Sequence, residues 1–290
     1  MKKIFAFTTV AVLMSSCQSI IDPTNNTNNE FMEINLSMNL TTKVTDVAFE
    51  ESDEVGIYVV HQPKEILTTG NHYDNVKHTF NDGWIASEKM YWMDKSTHAD
   101  FYCYYPYSEI TDINAHTFTI AADQSDIQDL KSSDFVWGKV ENVAPSTKVV
   151  EILTNHLMSS LKIYLKPGDG FTKASFADMD IMVNLRNVKN NASIDLADGT
   201  VTANGSTVQM TPFKDNGYYR AVVVPQKVED GSELIVVTVN GTEYILKKGF
   251  TFIPGKRHKF TVTVNKTGSG VNVGIGGWEE DDDDNGGSAE

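Results

Sequence analysis

From Met32 to Leu40 the chain alternates almost without fault. Met32, Ile34, Leu36, Met38 and Leu40 fall on one face of an extended strand, and Glu33, Asn35, Ser37 and Asn39 fall on the other. A period of two cannot form the apolar stripe of a helix, so this segment has one use, a strand with one face buried. Similar short runs of β-branched and aromatic residues recur as far as Val264, divided by turn signals, with no long stretch of helical period. The fold class expected is all-β, built as antiparallel β-sandwiches, and a Rossmann fold or a barrel of α/β units is excluded.

Further strands are expected at Val55–Val60, at Phe101–Tyr105 before Pro106, at Val149–Leu153, Leu161–Leu165, Ile181–Leu185 and Ala192–Leu196, at Tyr218–Val224 before Pro225, and at Lys259–Val264. Hairpin turns are expected at Asp82-Gly83, at Asn204-Gly205 and most strongly at Asn240-Gly241, because a type I′ turn needs positive φ at both central residues. One short helix is expected within Asp123–Leu130, and Pro167 to Gly170 reads as a loop. A length of 290 residues suits about two domains, placed at 31–148 and 149–266.

Acidic residues outnumber basic ones by 39 to 24, a net charge of −15, and so anionic a surface repels phosphate backbones. Nucleic acid is therefore not expected as a partner. In the C-terminal segment, 267–290, Val271, Val273 and Ile275 alternate once more before Trp278, and Glu279 to Asp284 are six consecutive acids. Clustered carboxylates suit hard cations, but this run lacks the spaced ligands and turning glycine of a calcium loop, so a solvated tail is the stronger reading.

The N-terminus carries an export signal over 1–16: Lys2 and Lys3, the apolar run Ile4 to Met14, then Ser15 and Ser16 before Cys17. The apolar run is shorter than the roughly 20 residues that span a bilayer. Leu13 to Ser16 resembles a lipobox, which makes Cys17 the attachment point of a lipid and the first residue after cleavage. Residues 17–30, rich in Asn and Thr, read as a flexible tether.

Motifs for catalysis are missing. The seven histidines, His61, His72, His78, His98, His116, His156 and His258, are scattered, and none forms a His-Glu-x-x-His or comparable ligand pair. There is no Gly-x-Ser-x-Gly elbow and no phosphate-binding loop, so no enzyme activity, cofactor or metal is expected. His156 is expected to be packed or hydrogen-bonded, and Cys103, between Tyr102 and Tyr104, to be a small core residue. The cluster Tyr102, Tyr104, Tyr105 and Tyr107 is read as core and rim packing, with a carbohydrate site as the competing use.

Several phrases, in order, resemble the fimbrillin family of Bacteroidales, the subunits of type V pili. They are Thr42-Lys43, Phe49-Glu50-Glu51-Ser52-Asp53-Glu54-Val55-Gly56-Ile57, Met90-Tyr91-Trp92, Phe101 to Tyr107 (FYCYYPY), Asp134 to Gly138 (DFVWG), Asn155 to Ile163 (NHLMSSLKI), Tyr219 to Gln226 (YRAVVVPQ) and Gly274 to Trp278 (GIGGW). The resemblance implies two tandem transthyretin-like β-sandwich domains. It also implies export as a lipoprotein to the outer membrane and cell surface, then assembly into a fimbrium by donor-strand exchange. A surface protease would cut after an Arg or Lys, here Lys43, with Val44 as the new N-terminus, although the family more often has Arg at that place. The strand bearing Met32, Ile34, Leu36, Met38 and Leu40 would leave. A neighbouring subunit's C-terminal segment, through Val271, Val273, Ile275 and Trp278, would fill the groove. The implied partners are other pilin subunits, the outer membrane through the lipid on Cys17, the protease, and a host or bacterial surface ligand. Two other classes compete: a monomeric surface lipoprotein that binds glycans through exposed aromatic platforms, and a hydrolase on a β-sandwich, for which no motif speaks.

Overall fold

A computed structural model describes residues 32–40 and 49–266 and the backbone of 273–276. Cys17, Lys43, Val44, Val271 and Trp278 lie outside the described residues. The first part of the chain forms β1 (Leu36–Leu40), β2 (Glu54–His61), β3 (Tyr73–Phe80), β4 (Trp84–Ala86), β5 (Ala99–Tyr105), β6 (His116–Thr119), α1 (Ile127–Ser132), β7 (Val136–Val143) and β8 (Val150–His156). The rest forms β9 (Ser159–Pro167), α2 (Lys173–Ala177), β10 (Ile181–Asp195), β11 (Thr200–Met210), β12 (Phe213–Asp215), β13 (Tyr218–Val223), β14 (Gln226–Val228), β15 (Glu233–Val239), β16 (Thr242–Lys247), β17 (Phe250–Phe252), β18 (Arg257–Val264) and β19 (Val273–Gly276).

These strands make sandwich-like layers. A seven-stranded sheet runs β1-β8-β7-β5-β2-β3-β4, and a second sheet runs β11-β10-β15-β16 with β6 also on β10. A third runs β12-β13-β9-β18-β19, and β14 pairs with β17. Strands do not sort at residue 148: β8 lies in the seven-stranded sheet, and β6 lies beside β10. Two of the ladders, β1 with β8 and β9 with β18, are parallel, so the seven-stranded and third sheets are mixed, while the second sheet and the β14–β17 pair are antiparallel. Their partners are 114 and 97 residues apart (Leu36 with Val150, Ser160 with Arg257), and no local pattern encodes the direction of so distant a pairing.

Local chemistry explains the turns. Asn240 (φ 46°) and Gly241 (φ 80°) both lie in the left-handed region and join β15 to β16, and Asp82 and Gly83 likewise close the β3–β4 hairpin. Asn204-Gly205 is not a reversal. Gly205 has φ 73° inside the continuous β11, opposite a register shift between Lys189 and Asn191 on β10, so its freedom serves a bulge. Ile181–Leu185 and Ala192–Leu196 accordingly merge into one fifteen-residue strand. The expected helix is α1, begun by Asp126, whose carboxylate accepts from the Gln128 N–H. The second helix, α2, is one turn started by a Thr172–Ser175 capping box, too short to show a period.

The central strands of the seven-stranded sheet, β2 and β5, are buried on both faces. Val55, Ile57, Val59, Phe101 and Cys103 join a smaller core with Met90, Trp92, Ile34, Met38, Val150 and Ile152. Tyr58, Val60, Tyr102 and Tyr104, from the opposite faces of the same strands, join a larger core that continues through Phe135 and Leu157 to Leu161, Ile163, Val183, Ile235 and Phe260. That explains the unbroken apolar reading of β2 and β5, since alternation vanishes when both faces are covered. Cys103 lies in the smaller core, where burial pushes its thiol pKa well up. Tyr104 is 1% exposed, and its hydroxyl bonds Asn75 Oδ1 and the Ser108 carbonyl, each at 2.7 Å.

Buried histidines set the acid response. His78 and His116 are 3% and 9% exposed, and burial holds both imidazoles below their ordinary pKa. The folded chain then binds fewer protons than the unfolded one, so stability rises with pH up to about 6.5 and is lost as pH falls below it, by up to about 1.4 kcal/mol per pH unit for each histidine. Urea midpoints at pH 7.5 and 5.5 are expected to show this loss, and His78→Gln is expected to remove His78's share of it.

Candidate functional site at the sheet edges

The alternating segment from Met32 to Leu40 docks as the sequence pattern requires. Ile34 and Met38 are 6% and 2% exposed, Met32, Leu36 and Leu40 are half-buried, and Glu33, Asn35 and Asn39 face solvent. Its first residues are held by the segment before β5: the Ile34 N–H donates to the Met90 carbonyl (2.8 Å), and the Trp92 N–H donates to the Met32 carbonyl (2.9 Å). Beyond Asn35, whose carbonyl accepts from the Val150 N–H at 2.8 Å, β1 runs parallel to β8 from Leu36↔Val150 to Leu40↔Thr154. Side chains lock the same carbonyls, with Trp84 Nε1 donating to Met38 O (3.2 Å) and Thr154 Oγ1 to Asn39 O (3.1 Å).

On its opposite edge, β8 meets β7 in a ladder of two residue pairs, Val136↔His156 and Trp137↔Asn155. Val150 to Thr154 therefore take their strand pairing from β1. β7 and β8 nonetheless stay close: a Cβ built on Gly138 would lie 2.4 Å from the Leu153 carbonyl oxygen, so only glycine fits there. Nothing in the local sequence of β8 signals this dependence. The fault is non-local, and only the register reveals it.

Leu40 and Phe49, which flank residues 41–48, both border a cleft of about 100 Å³. The Phe49 ring packs edge-on against Trp84 and Tyr105, with centroids 4.8 and 5.9 Å away. Acidic and basic groups both line the cleft. Lys131 Nζ pairs with Glu50 at 2.7 Å, Tyr105 OH donates to Asp53 Oδ1 at 3.2 Å, and His156 Nδ1 lies 2.6 Å from Asp134 Oδ2. Lys162, Arg220 and Arg257, from three neighbouring strands of the third sheet, complete the lining. Among the described residues no group of three His, Cys, Asp or Glu side chains is placed to hold a metal ion. The expected packed role of His156 is what the geometry gives, since Asp134 holds its ring and 6% of the residue is exposed.

At the other end of the chain, β19 forms the edge of the third sheet, antiparallel to β18, with Val273 opposite Val264 and Ile275 opposite Val262. The two strands expected to take part in strand exchange thus sit on the edges of two different sheets: β1 covers one and β19 the other. Tyr102 and Tyr104 are buried, so they form no exposed platform. What this arrangement can do chemically is pair backbone: an edge strand that leaves bares a row of N–H and C=O groups and the apolar pockets between them.

Comparison with known proteins agrees with this reading of the fold. A Bacteroides uniformis protein named as a candidate fimbrium subunit, Fim1C, is 25% identical over 262 residues, covering 85% of this chain and 84% of that protein. The crystal structure of a candidate cell adhesion protein from Bacteroides uniformis superposes with a TM-score of 0.66 at 23% identity, covering 86% of this chain and 98% of the other. Another, from Bacteroides ovatus, gives 0.67 at 16% identity with the same coverage. The fimbrillin-like family model matches residues 42–278, most of the chain, and the protein belongs to that family.

Proposed function

We propose that this chain is a structural and adhesive subunit of a type V pilus, exported as a lipoprotein on Cys17 and assembled at the cell surface by protease-triggered donor-strand exchange. One observation carries the reading: Val150 to Thr154 of β8 have their ladder with β1 and not with β7. A chain cut after Lys43 loses β1 and leaves β8 held to its sheet by two residue pairs. It also opens the places of Ile34 and Met38 in the smaller core. Full burial of two such side chains contributes about 3–6 kcal/mol, a large part of a domain's usual net stability. A replacement strand is therefore required, and the donor is the C-terminal segment of a neighbour through Val271, Val273, Ile275 and Trp278. The fold then divides into two tandem transthyretin-like sandwich domains. The expected bounds are 31–148 and 149–266, with β8 in the sheet of β1 and β7 and β6 paired to β10 across that division.

Partners on this reading are other pilin subunits, a surface protease specific for Arg or Lys, the outer membrane, and a surface ligand for adhesion. Family membership and the fimbrium subunit from Bacteroides uniformis support assembly with other subunits.

Three measurements test the proposal. Deleting residues 31–40 from the purified chain is expected to yield aggregates or ladders on a gel run without boiling; a variant that stays monomeric with unchanged melting counts against strand exchange. In cells, Cys17→Ser is expected to move the protein out of the membrane fraction or leave it with its leader uncut, since buried acyl chains contribute about 0.8 kcal/mol per methylene to anchoring. Truncation before Val271 is expected to abolish the ladders made by the intact subunit, and ladders of normal length from the truncated chain would exclude the C-terminal segment as donor.

A further inference from the structure

Strand order fixes where a pulling force travels through this subunit. With strand exchange, a neighbour's strand grips β8 in place of β1, and the chain leaves toward the next subunit beyond Lys266. Between those two points, β8 hands over to β9 through Leu157 and Met158 alone. Both residues are buried and the handover is pinned: the Leu157 N–H donates to the Phe135 carbonyl at 2.7 Å, and the Gly255 N–H donates to the Met158 carbonyl at 2.9 Å. β9 then runs parallel to β18 over eight residue pairs, from Ser160↔Arg257 to Pro167↔Val264. Backbone bonds close the ladder at both ends. The Ser160 N–H donates to the Lys256 carbonyl (2.9 Å), the Gly168 N–H to the Val264 carbonyl (2.8 Å) and the Lys266 N–H to the Asp169 carbonyl (2.7 Å). Leu161 and Ile163 on β9 and Phe260, Val262 and Val264 on β18 are at most 3% exposed, so one side of the ladder is sealed from water.

We propose that the β9–β18 ladder is the mechanical clamp of the subunit, loaded in shear, with residues 168–256 held off the line of force. The load rests on the strand-exchange reading, but the clamp is a property of the monomer. Parallel direction decides how the ladder is strained. Force enters β9 at its N-terminal end, from β8, and leaves β18 at its C-terminal end, at Val264. In a parallel pair those ends are diagonally opposite, so tension slides one strand along the other and strains every bond of the ladder together. In an antiparallel pair the same connections would put both loaded ends on one side, and the bonds would open one after another. β9 is held from its other edge by β13, antiparallel over five pairs from Tyr219↔Ile163 to Val223↔Ser159, so it stays in the sheet under load. The chain that carries β10 to β17 starts where β9 ends and finishes where β18 begins, so it feels no tension until the ladder fails.

Optical tweezers on single full-length monomers test the clamp. One variant takes handles at Leu153→Cys on β8, where the native side chain is 57% exposed, and at Lys266→Cys, with Cys17→Ser; Cys103 is buried and takes no handle. A second takes them at Lys166→Cys and Lys266→Cys, at the same end of both strands, so that it unzips the identical ladder. Forced rupture follows the unfolding rate and not equilibrium stability, so the two variants are matched for urea midpoint before pulling. The first geometry is expected to rupture at a several-fold higher force. It is also expected to release the roughly 110 residues between its handles in one step, about 390 Å of contour at about 3.5 Å per residue. Equal rupture forces in the two geometries overturn the clamp, as does release between 153 and 266 in several small steps at low force. Because a monomer is pulled, either outcome is separate from a failure of strand exchange, which the gel ladders read.

Discussion

The parallel pairing of β1 with β8 is the constraint on which the rest of the architecture depends. A sheet strand normally has two neighbours or an edge that the fold has blunted. β8 has a two-residue ladder with β7, and its remaining pairing partner is a segment that precedes every other described strand. That segment reaches its place through residues 41–48, and both ends of this connection border the same cleft. The seven-stranded sheet is thus completed from outside its central run of strands. Its smaller core is closed by Ile34 and Met38, which arrive with the same segment.

A sheet whose central strands are buried on both faces is stiff toward such a change. Tyr58, Tyr102 and Tyr104 belong to the larger core, while Ile57, Phe101 and Cys103, one residue away on the same strands, belong to the smaller one. Loss of β1 therefore weakens the smaller core locally, while β2, β5 and β7 stay fixed by the larger one. In the proposed exchange the groove that results would keep its shape, which is what an incoming strand needs if it is to be selected by alternating side chains and not merely by backbone.

Much of this was legible from residues. The period of two at Met32–Leu40, the Asn240-Gly241 hairpin and the Asp82-Gly83 hairpin act over a few residues, and the chain obeys them. Asn204-Gly205 carries the same local signal but lies in the middle of β11, because pairing along all of β10 outweighs a turn and uses the positive φ of Gly205 for a bulge. The direction of β1 against β8 and the passage of β8 across the expected boundary were not legible, since both are settled by partners more than a hundred residues away. The basic side of the cleft was hidden for the same reason: Lys162, Arg220 and Arg257 are isolated in sequence and become neighbours only through register.

In the proposed assembly, a question of balance remains between the strand that leaves and the one that arrives. A C-terminal strand gives up four residue pairs with β18 and takes up a ladder of similar length on a neighbour's β8. Net backbone hydrogen bonds contribute only about 0.5–1.5 kcal/mol each, so such an exchange is nearly neutral in pairing. While β1 stays tethered by the eight residues 41–48, its effective concentration at the groove is of millimolar order, and a donor from another molecule cannot compete. On this reading a cut at Lys43 removes that advantage. The peptide-bond cut, and not a stronger strand, then sets the direction of polymerisation. On the same reading the acceptor and donor edges lie on different sheets of each subunit, so the contact would be heterologous and would grow as an open filament unless its rotation closed a ring.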